Sequence, residues 1–310
     1  MADDTPNLVA EPLERSQTSL TIVVPTYRRE GVLLETLQHL FALKPPTSEI
    51  IVVDQTEQHS NQVSHTLDLW QASGRMRWLR LKDASIPAAM NRGLLAASHP
   101  IVLFIDDDIV PHSGLVEAHL SAMKKTGAAL VAGRVIQPWQ LDRDFSGDDS
   151  FHFATVRPAW IQDFMGGNFS VRRDIMLKLG GIDERFVCAA YNFEAEFAHR
   201  LCRAGHRIYY EPAAGIDHLR VSTGGTRAFG DHLTSHRPNH SVGAYYFIFR
   251  TWSGWHSLIR FLGRPLRAIS TRHHLRKPWW IPVTLFAELF GMGWALLLLA
   301  QGPRHLNSSK

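Results

Sequence analysis

The residues best suited to chemistry form an unbroken acidic triplet, Asp106, Asp107 and Asp108, directly after the apolar run Ile101–Ile105. Adjacent carboxylates repel one another unless a cation lies between them. Hard divalent ions such as Mg²⁺ or Mn²⁺ prefer carboxylate oxygens and readily share their coordination with phosphate. Because side chains alternate along an extended segment, Asp106 and Asp108 are predicted to face one way and Asp107 another. The triplet therefore predicts a divalent-cation site, with a solvated acidic turn as the alternative.

A regular succession of secondary-structure elements is predicted to position these carboxylates. Strands are predicted at 20–24, 50–53, 75–81 and 101–105, and helices at 32–43 and 88–97. Unbroken apolar runs are typical of strands covered on both faces, as in a mainly parallel sheet between helices. The predicted fold class is an open, doubly wound α/β domain. Ligands bind such sheets where the strands end, which is where Asp54 and the acidic triplet stand.

Composition narrows the class of protein further. The chain has 310 residues, 45% hydrophobic and 20% charged, which excludes intrinsic disorder, collagen and a disulfide-stapled mini-protein. Two cysteines are too few for a disulfide framework or a cysteine-rich zinc site. The N-terminus has neither a basic nor an apolar leader region, so we expect a reducing, cytoplasmic location.

The C-terminal third has its own character. Between Asp231 and Glu288 the chain contains eight arginines and lysines and no acidic residue. The almost entirely apolar segment 279–300 follows; it is long enough to cross a bilayer, begins with paired tryptophans and is interrupted by Pro282 and Glu288. These features favour a cytoplasmic-face location at the inner membrane, peripheral or single-span. A buried helix, a partner interface and a merely solvated basic face are the alternatives, and nucleic acid is not an expected partner.

Several short motifs recur in a familiar order. They are Thr21–Arg29 (TIVVPTYRR), Ile51–Asp54 (IVVD), Asn91–Gly93 (NRG), Phe104–Asp108 (FIDDD), Met165–Arg173 (MGGNFSVRR) and Gly180–Phe186 (GGIDERF). In order and spacing the chain resembles the family 2 glycosyltransferases, mainly inverting nucleotide-sugar transferases with a GT-A fold. The resemblance covers about 200 residues and says nothing about the sugar.

The resemblance implies roles for individual residues. Nucleotide-binding roles fall to Pro25, Thr26, Tyr27, Asp54, Asn91, Arg92, Asp106 and Asp107. Asp54 would accept a hydrogen bond from the base, usually uracil, and Asp106 would approach the ribose. Asp108 would coordinate a Mn²⁺ or Mg²⁺ ion that bridges the diphosphate, and His218 would be a further metal ligand. The chain departs from the family pattern at Gln55, where a second acid is common, and at Met90, where arginine is common.

The acceptor side is predicted around a helix that begins near Asn192. Gly167, Asn168 and Glu196 would lie on the acceptor or sugar side, and Glu194 would be the catalytic base. Glu196 and Arg200 are four residues apart, the spacing of a helical ion pair, which leaves Glu194 without an evident helical partner. A first-turn acid that interacts only with the helix dipole is the alternative for Glu194. The loop from Arg220 to Arg237 is predicted to close over the donor.

The predicted organisation has five parts. They are a flexible tail at 1–19, a GT-A domain at 20–220 with its nucleotide half ending near 110, a basic extension at 221–278, a membrane-associated helix at 279–300 and a tail at 301–310. The predicted function is metal-assisted, inverting transfer from a nucleotide-sugar, most often a UDP-sugar, to a hydroxyl of a saccharide or lipid-linked acceptor.

Three other functions stay open at this stage. The triplet also satisfies the Asp-x-Asp-x-Val pattern of haloacid dehalogenase phosphatases, although several βα units precede it. A sugar-nucleotide pyrophosphorylase would share the architecture but needs a basic, glycine-rich loop after its first strand. A catalytically inactive, membrane-attached binding protein is the non-enzymatic alternative.

Overall fold

A computed structural model describes residues 19–44, 47–145, 147, 150–230, 233 and 235–306. The strands are β1 (Leu20–Thr26), β2 (Glu49–Asp54), β3 (Arg77–Arg80), β4 (Ile101–Ile105), β5 (Ile109–Pro111), β6 (Leu130–Ile136), β7 (Ala159–Ile161), β8 (Asn168–Arg172) and β9 (Ile208–His218). The helices are α1 (Gly31–Phe41), α2 (Asn61–Ala72), α3 (Ile86–Ala96), α4 (Leu115–Thr126), α5 (Arg173–Lys178), α6 (Phe193–Arg203), α7 (Ser241–Arg250), α8 (Trp255–Ile269), α9 (Arg272–Arg276) and α10 (Trp280–Ala300).

The described strands form one sheet of mixed direction with the order β3-β2-β1-β4-β8-β6-β9-β5, and β7 pairs with β9. The first four strands of this order are parallel neighbours. Beyond them β8 runs antiparallel to both β4 and β6, whereas β6 and β9 are parallel. The predicted α/β class is confirmed. The parallel half of the sheet carries Asp54 at the end of β2 and the acidic triplet after β4, and the mixed half continues the sheet beyond β4.

Apolar layers cover both faces of the sheet. Alternate residues of β1 point to opposite sides: Ile22 packs with Leu37 of α1, and Val23 belongs to the cluster that contains Leu94 of α3. Both faces of the strand are therefore buried, which is why its sequence is an unbroken apolar run. At Gly93 an added Cβ would overlap the Val23 side chain, so the glycine lets α3 approach the sheet closely.

The C-terminal helices are joined to this core. Val242, Tyr245 and Tyr246 of α7 are buried in the same apolar cluster as the sheet. Helix α10 lies along α7, and the Ser241 hydroxyl donates to the carbonyl of Ala287 at 2.8 Å. The predicted boundary near residue 220 is thus followed by a helix that completes the core of the preceding domain.

The chain returns to the domain after α10. The amide of Leu306 donates to the carbonyl of Gly180 at 2.8 Å, and the amide of Glu184 donates to the carbonyl of Arg304 at 3.0 Å. Residues 302–306, which we call the C-terminal clasp, are therefore fixed to the turn at 180–185. The rest of the predicted tail, 307–310, lies outside the described residues, as do residues 1–18 of the predicted flexible tail.

Candidate active site

A cavity of about 240 Å³ lies where β1 and β4 end, and we call it the strand-end cavity. Its walls come from the end of β1, the acidic triplet, the Met165–Gly167 segment, the start of α6, the end of β9 and the loop after it. Of the residues predicted for the site, the following line it: Pro25, Thr26, Tyr27, Asp106, Asp107, Asp108, Gly167, Glu194 and His218. Residues separated by up to about 190 positions are thus brought to one edge of the sheet.

Asp106 and Asp108 face His218, as the alternation along an extended segment predicts. The His218 Nε2 atom is 3.1 Å from Asp108 Oδ1 and 3.9 Å from Asp106 Oδ2. Asp108 is buried, whereas the Asp106 side chain is 45% exposed towards the cavity. Two carboxylates and one imidazole therefore converge at a point that a ligand can reach.

The donor set at this point fits a divalent cation. One ligand atom from each of Asp106, Asp108 and His218 lies within 4.8 Å of the others. His218 Nδ1 is 3.1 Å from Gln137 Oε1, which can only accept a hydrogen bond, so Nδ1 carries a proton. The other ring nitrogen, Nε2, faces the carboxylates and is the one available to a cation. Carboxylate oxygens and an imidazole nitrogen suit Mn²⁺. Gln137 was not predicted from the sequence, which gave no sign of its contact with a residue 81 positions away.

Asp107 points away from this cluster and holds the first strand. The Thr26 hydroxyl donates to Asp107 Oδ2 at 2.6 Å, and Arg29 Nε lies 3.2 Å from Asp107 Oδ1. Burial raises the pKa of Asp107 to about 7 against the lowering effect of Arg29. Asp107 thus joins the ends of β1 and β4 beneath the cavity.

Arg29 is a site residue that sequence analysis missed. Its Nη2 donates to Asp108 Oδ2 at 3.2 Å, and its Nη1 donates to the carbonyl oxygens of Val221 and Thr223 in the loop after β9. The signal was its position, three residues beyond an apolar strand that ends at the cavity. Arg29 neutralises the buried carboxylates and ties the loop to the cavity wall.

The loop after β9 does close one side of the cavity. The amide of Val221 donates to Asp108 Oδ2 at 2.9 Å, and Arg227 Nη1 is 3.7 Å from the same oxygen. Arg220, at the start of the same loop, lies over the ring of Trp139. The imidazole of His218, the guanidinium of Arg29 and the amide of Val221 hold the pKa of Asp108 below its ordinary value even though the side chain is buried.

Glu194 also lines the strand-end cavity, in the first turn of α6. It forms no ion pair with any residue in the described ranges. Removal of the side chain from water raises the pKa of Glu194 to about 7, and the negative charges of Asp163 and Asp106 add to this effect. A carboxyl group with a pKa near neutrality can exchange a proton with a ligand in the cavity.

Glu196 does not line the strand-end cavity. Both of its carboxylate oxygens accept hydrogen bonds from Arg200 Nε, at 2.8 and 2.9 Å, and Arg250 Nη2 lies 3.6 Å away. The side chain is buried, at 2% exposure. The helical ion pair predicted from the four-residue spacing is present, and it occupies the carboxylate that was also predicted for the acceptor side.

Asp54 is sealed from the cavity. Its Oδ2 accepts hydrogen bonds from His59 Nε2 at 2.7 Å and from Trp78 Nε1 at 2.9 Å, and its Oδ1 accepts one from the amide of Thr56 at 2.8 Å. The side chain has no exposed surface, and its neighbour Gln55 lines the cavity instead.

Three other predicted residues lie outside the cavity lining. Asn91 is buried and hydrogen-bonds to the backbone of Ile182, which joins α3 to the turn at 180–185. Arg92 is exposed on α3. Asn168 is buried and donates to the carbonyls of Arg134 and Ala214, which joins β8 to its neighbours.

Comparisons with known proteins agree with this fold and edge of the sheet. Solved structures with the GT-A architecture superpose on most of the chain. A mannosyltransferase from Pyrobaculum calidifontis, solved with GDP-Man and Mn²⁺, matches 96% of this chain and 83% of its own, with a TM-score of 0.57 and 21% identity. GalNAc-T7, solved with UDP, GalNAc and Mn²⁺, matches 91% of this chain and 56% of its own, with a TM-score of 0.62 and 11% identity. The architecture is therefore that of the GT-A glycosyltransferases.

The family follows from the sequence. Residues 21–196, more than half of the chain, match the family described as Glycosyl transferase family 2. Pre-mycofactocin glycosyltransferases from two strains of Mycobacterium tuberculosis are 28% identical over 140 residues, which is 42% of this chain and 29% of theirs. The chain thus spans less than a third of the length of these curated relatives. The chain belongs to glycosyl transferase family 2, a family of glycosyltransferase enzymes, as the sequence motifs predicted.

Proposed function

We propose that this protein is a metal-dependent, inverting glycosyltransferase that moves a sugar from a nucleoside-diphosphate donor to a hydroxyl group of its acceptor. The observation that carries the proposal is the pairing of functions within one cavity. The cavity is lined both by Asp106, Asp108 and His218, whose ligand atoms converge, and by Glu194, whose pKa is raised to about 7.

The diphosphate of the nucleotide-sugar would lie beside the cation ligands Asp106, Asp108 and His218. A divalent cation bound there would stabilise the negative charge that develops on the departing diphosphate. Arg227 lines the same cavity, and its guanidinium is 3.7 Å from Asp108, so it can contact the phosphate oxygens from the loop side. The absence of a side chain at Gly167 leaves room for the Asp106 carboxylate, which an added Cβ would overlap.

Glu194 serves as the general base. The acceptor oxygen attacks the anomeric carbon from the face opposite the diphosphate, and the bond between that carbon and the diphosphate oxygen breaks with its electron pair. The hydroxyl proton passes to the Glu194 carboxylate. One displacement of this kind inverts the anomeric configuration, and a base with a pKa near 7 is about half ionised at neutral pH yet basic enough to accept the proton.

A UDP-sugar remains the proposed donor, on the resemblance of the strand-end motifs alone. The two solved neighbours carry different nucleotides, GDP-Man in one and UDP in the other. For Asp54 to hydrogen-bond to a base, its contacts with His59 and Trp78 would have to open. A titration that identifies the nucleotide must therefore compare four bases.

The protein acts at a membrane surface, as a peripheral enzyme of polysaccharide or glycolipid synthesis on the cytoplasmic face. In the described part of the chain α10 alone is long and apolar enough to cross a bilayer. One side of it packs along α7, however, and the C-terminal clasp returns to the domain. Glu288 within this helix is paired with Arg264 at 3.0 Å, so it faces protein. This packing favours a helix that lies along the membrane surface.

The proposal is tested by calorimetric titration of the purified protein with UDP, GDP, ADP and dTDP, first with Mn²⁺ and then with EDTA. We expect one nucleoside diphosphate to bind in Mn²⁺ and to lose about tenfold or more of its affinity in EDTA. Asp108→Asn should remove the same increment, because it removes a cation ligand. Absence of Mn²⁺-dependent binding in a folded sample would refute the donor site and return attention to the phosphatase and binding-protein alternatives.

A further inference from the structure

A second cavity, of about 580 Å³, lies next to the strand-end cavity and is bounded by α6, α7, α8 and α10. We call it the arginine cavity after four of its lining residues, Arg237, Arg260, Arg264 and Arg267. The first turn of α6 separates the two cavities: Glu194 lines the strand-end cavity, and the next residue, Ala195, lines the arginine cavity. The part of the arginine cavity at Ala195 is therefore one residue along α6, about 1.5 Å of rise, from the proposed base.

The arginine cavity keeps an excess of positive charge. Two acids, Asp163 and Glu288, also line the cavity, and Glu288 forms an ion pair with Arg264 at 3.0 Å. Arg260 and Arg267 are exposed and, within the described ranges, form no ion pair. Arg267 donates to the backbone carbonyls of Gly263 and Arg260, both at 3.4 Å. Guanidinium groups bind phosphate through paired N–H donors, so two arginines without an acidic partner among the described residues suit a phosphate group in a concave site.

Helix α8, which carries Arg260 and Arg267, also has an exposed apolar face. Four large apolar residues of α8, which we call the apolar stripe, recur at helical spacing and are 52–70% exposed: Trp255, Ile259, Leu262 and Leu266. The outer side of α10 is also apolar and exposed, with Phe286, Leu289, Phe290 and Leu297. A helix with an apolar stripe beside arginines is typical of segments that lie in the headgroup region of a membrane.

We propose that the arginine cavity binds the phosphate of a lipid-linked saccharide acceptor, with its hydrocarbon chain along the apolar stripe and its sugar hydroxyl directed at Glu194. This inference rests on the proposed function and specifies its acceptor as an anionic amphiphile. The positive charge of the cavity suits a phosphate group, and the apolar stripe suits a lipid chain. Because the first turn of α6 lines both cavities, a sugar attached to the phosphate can extend from one cavity to the other.

The test is calorimetric binding of decyl phosphate, inorganic phosphate and decanol to the full chain in EDTA, without nucleotide. We expect decyl phosphate to bind about tenfold or more tightly than either fragment, because it engages both the arginines and the stripe. Arg260→Gln/Arg267→Gln should lower its affinity by about tenfold or more. The matched control, Arg272→Gln/Arg276→Gln, removes the same charge from exposed positions outside the cavity and should leave the affinity unchanged.

Other outcomes overturn the inference. Equal affinity for inorganic and decyl phosphate would assign the cavity to a soluble phosphate compound. Equal losses in the test and control variants would mean that a diffuse basic surface attracts the ligand, and no loss in either would mean that the cavity does not bind it. Since neither nucleotide nor metal is present, these results are independent of the donor titration, so failure of one proposal can be told from failure of the other.

Discussion

Among the acidic side chains that line the strand-end cavity, Glu194 alone has no cationic partner within the described residues. Asp107 and Asp108 are paired with Arg29, and Asp106 faces His218. The pKa of Asp107 is also raised to about 7, but its oxygens are held by Thr26 and Arg29, whereas Glu194 faces the cavity without such partners. The difference in partners thus distinguishes the proposed base from the acids of the proposed cation site.

Glu194→Gln is expected to lower the transfer rate by roughly 10²–10⁴-fold while nucleotide affinity in Mn²⁺ stays the same. The wild-type rate should rise with pH and level off above about pH 7, because the base must be ionised, and the residual rate of the variant should lack this step. Steady-state kinetics from pH 5 to about 9 measure both. An unchanged rate in the variant would remove Glu194 from the reaction.

The same substitution should also affect stability. The folded-state pKa of Glu194 is raised above its unfolded value, so ionisation costs stability progressively as pH rises from about 4.5 to about 7 and costs the full amount above that. A neutral glutamine avoids this cost. We expect thermal denaturation at pH 8 to show the variant more stable by about 1–2 kcal/mol, after allowance for solvent screening, with no difference at pH 4.

What the sequence predicted at this scale depended on local pattern. The opposite directions of Asp106 and Asp107, and the pairing of Glu196 with Arg200, follow from strand and helix geometry and are confirmed. The seal over Asp54 could not be predicted, because it depends on Trp78, a residue of another strand 24 positions away. Long-range side-chain partners leave no periodic signal.

At the scale of elements, the same distinction holds. The strand at 101–105 was predicted with its observed bounds, since an unbroken apolar run between a proline and three acids has sharp ends. Helix α2 was not predicted; it buries Val63 and Leu67 only, which is too few apolar positions for a clear helical period. The antiparallel insertion of β8 between β4 and β6 is a property of the whole chain and has no counterpart in local sequence.

The Met165–Gly167 segment sets the position of the Asp106 carboxylate. At Gly167 an added Cβ would overlap the Asp106 side chain. Gly167→Ala is therefore expected to displace Asp106 and to lower Mn²⁺-dependent nucleotide affinity by about tenfold or more, with little change in melting temperature. Gly31→Ala, where an added Cβ meets nothing within 4 Å, is the matched control and should bind as the wild type does. Unchanged binding by the Gly167 variant would show that Asp106 does not hold the cation.

At the scale of the whole molecule, the apolar surfaces of α8 and α10 distinguish this chain from an ordinary soluble domain. Exposed apolar residues are common singly, but a row of them at helical spacing marks an interaction surface. Helix α10 has this face opposite the side that packs on α7, so the core and the outer surface are both apolar. That arrangement explains why its sequence resembles a membrane span although it lies along the domain.

Leu262→Ser/Leu266→Ser is expected to weaken binding to phosphatidylcholine vesicles by about tenfold or more in a sedimentation assay, because it removes two large side chains from the apolar stripe. Leu69→Ser/Leu95→Ser removes two exposed leucines from α2 and α3 and should have no effect. Equal binding by all three proteins would exclude the stripe as the membrane contact.

The C-terminal clasp has a mechanical consequence. Helix α10 is fixed along its side to α7 and, through residues 302–306, to the turn that also holds α3 by way of Asn91. A membrane that touches the outer side of α10 therefore meets a rigid body, and the height of Glu194 above the lipid plane is constant. On the proposed membrane contact, the protein would accept substrates whose reactive hydroxyl stands at that height and would reject shorter and longer ones alike.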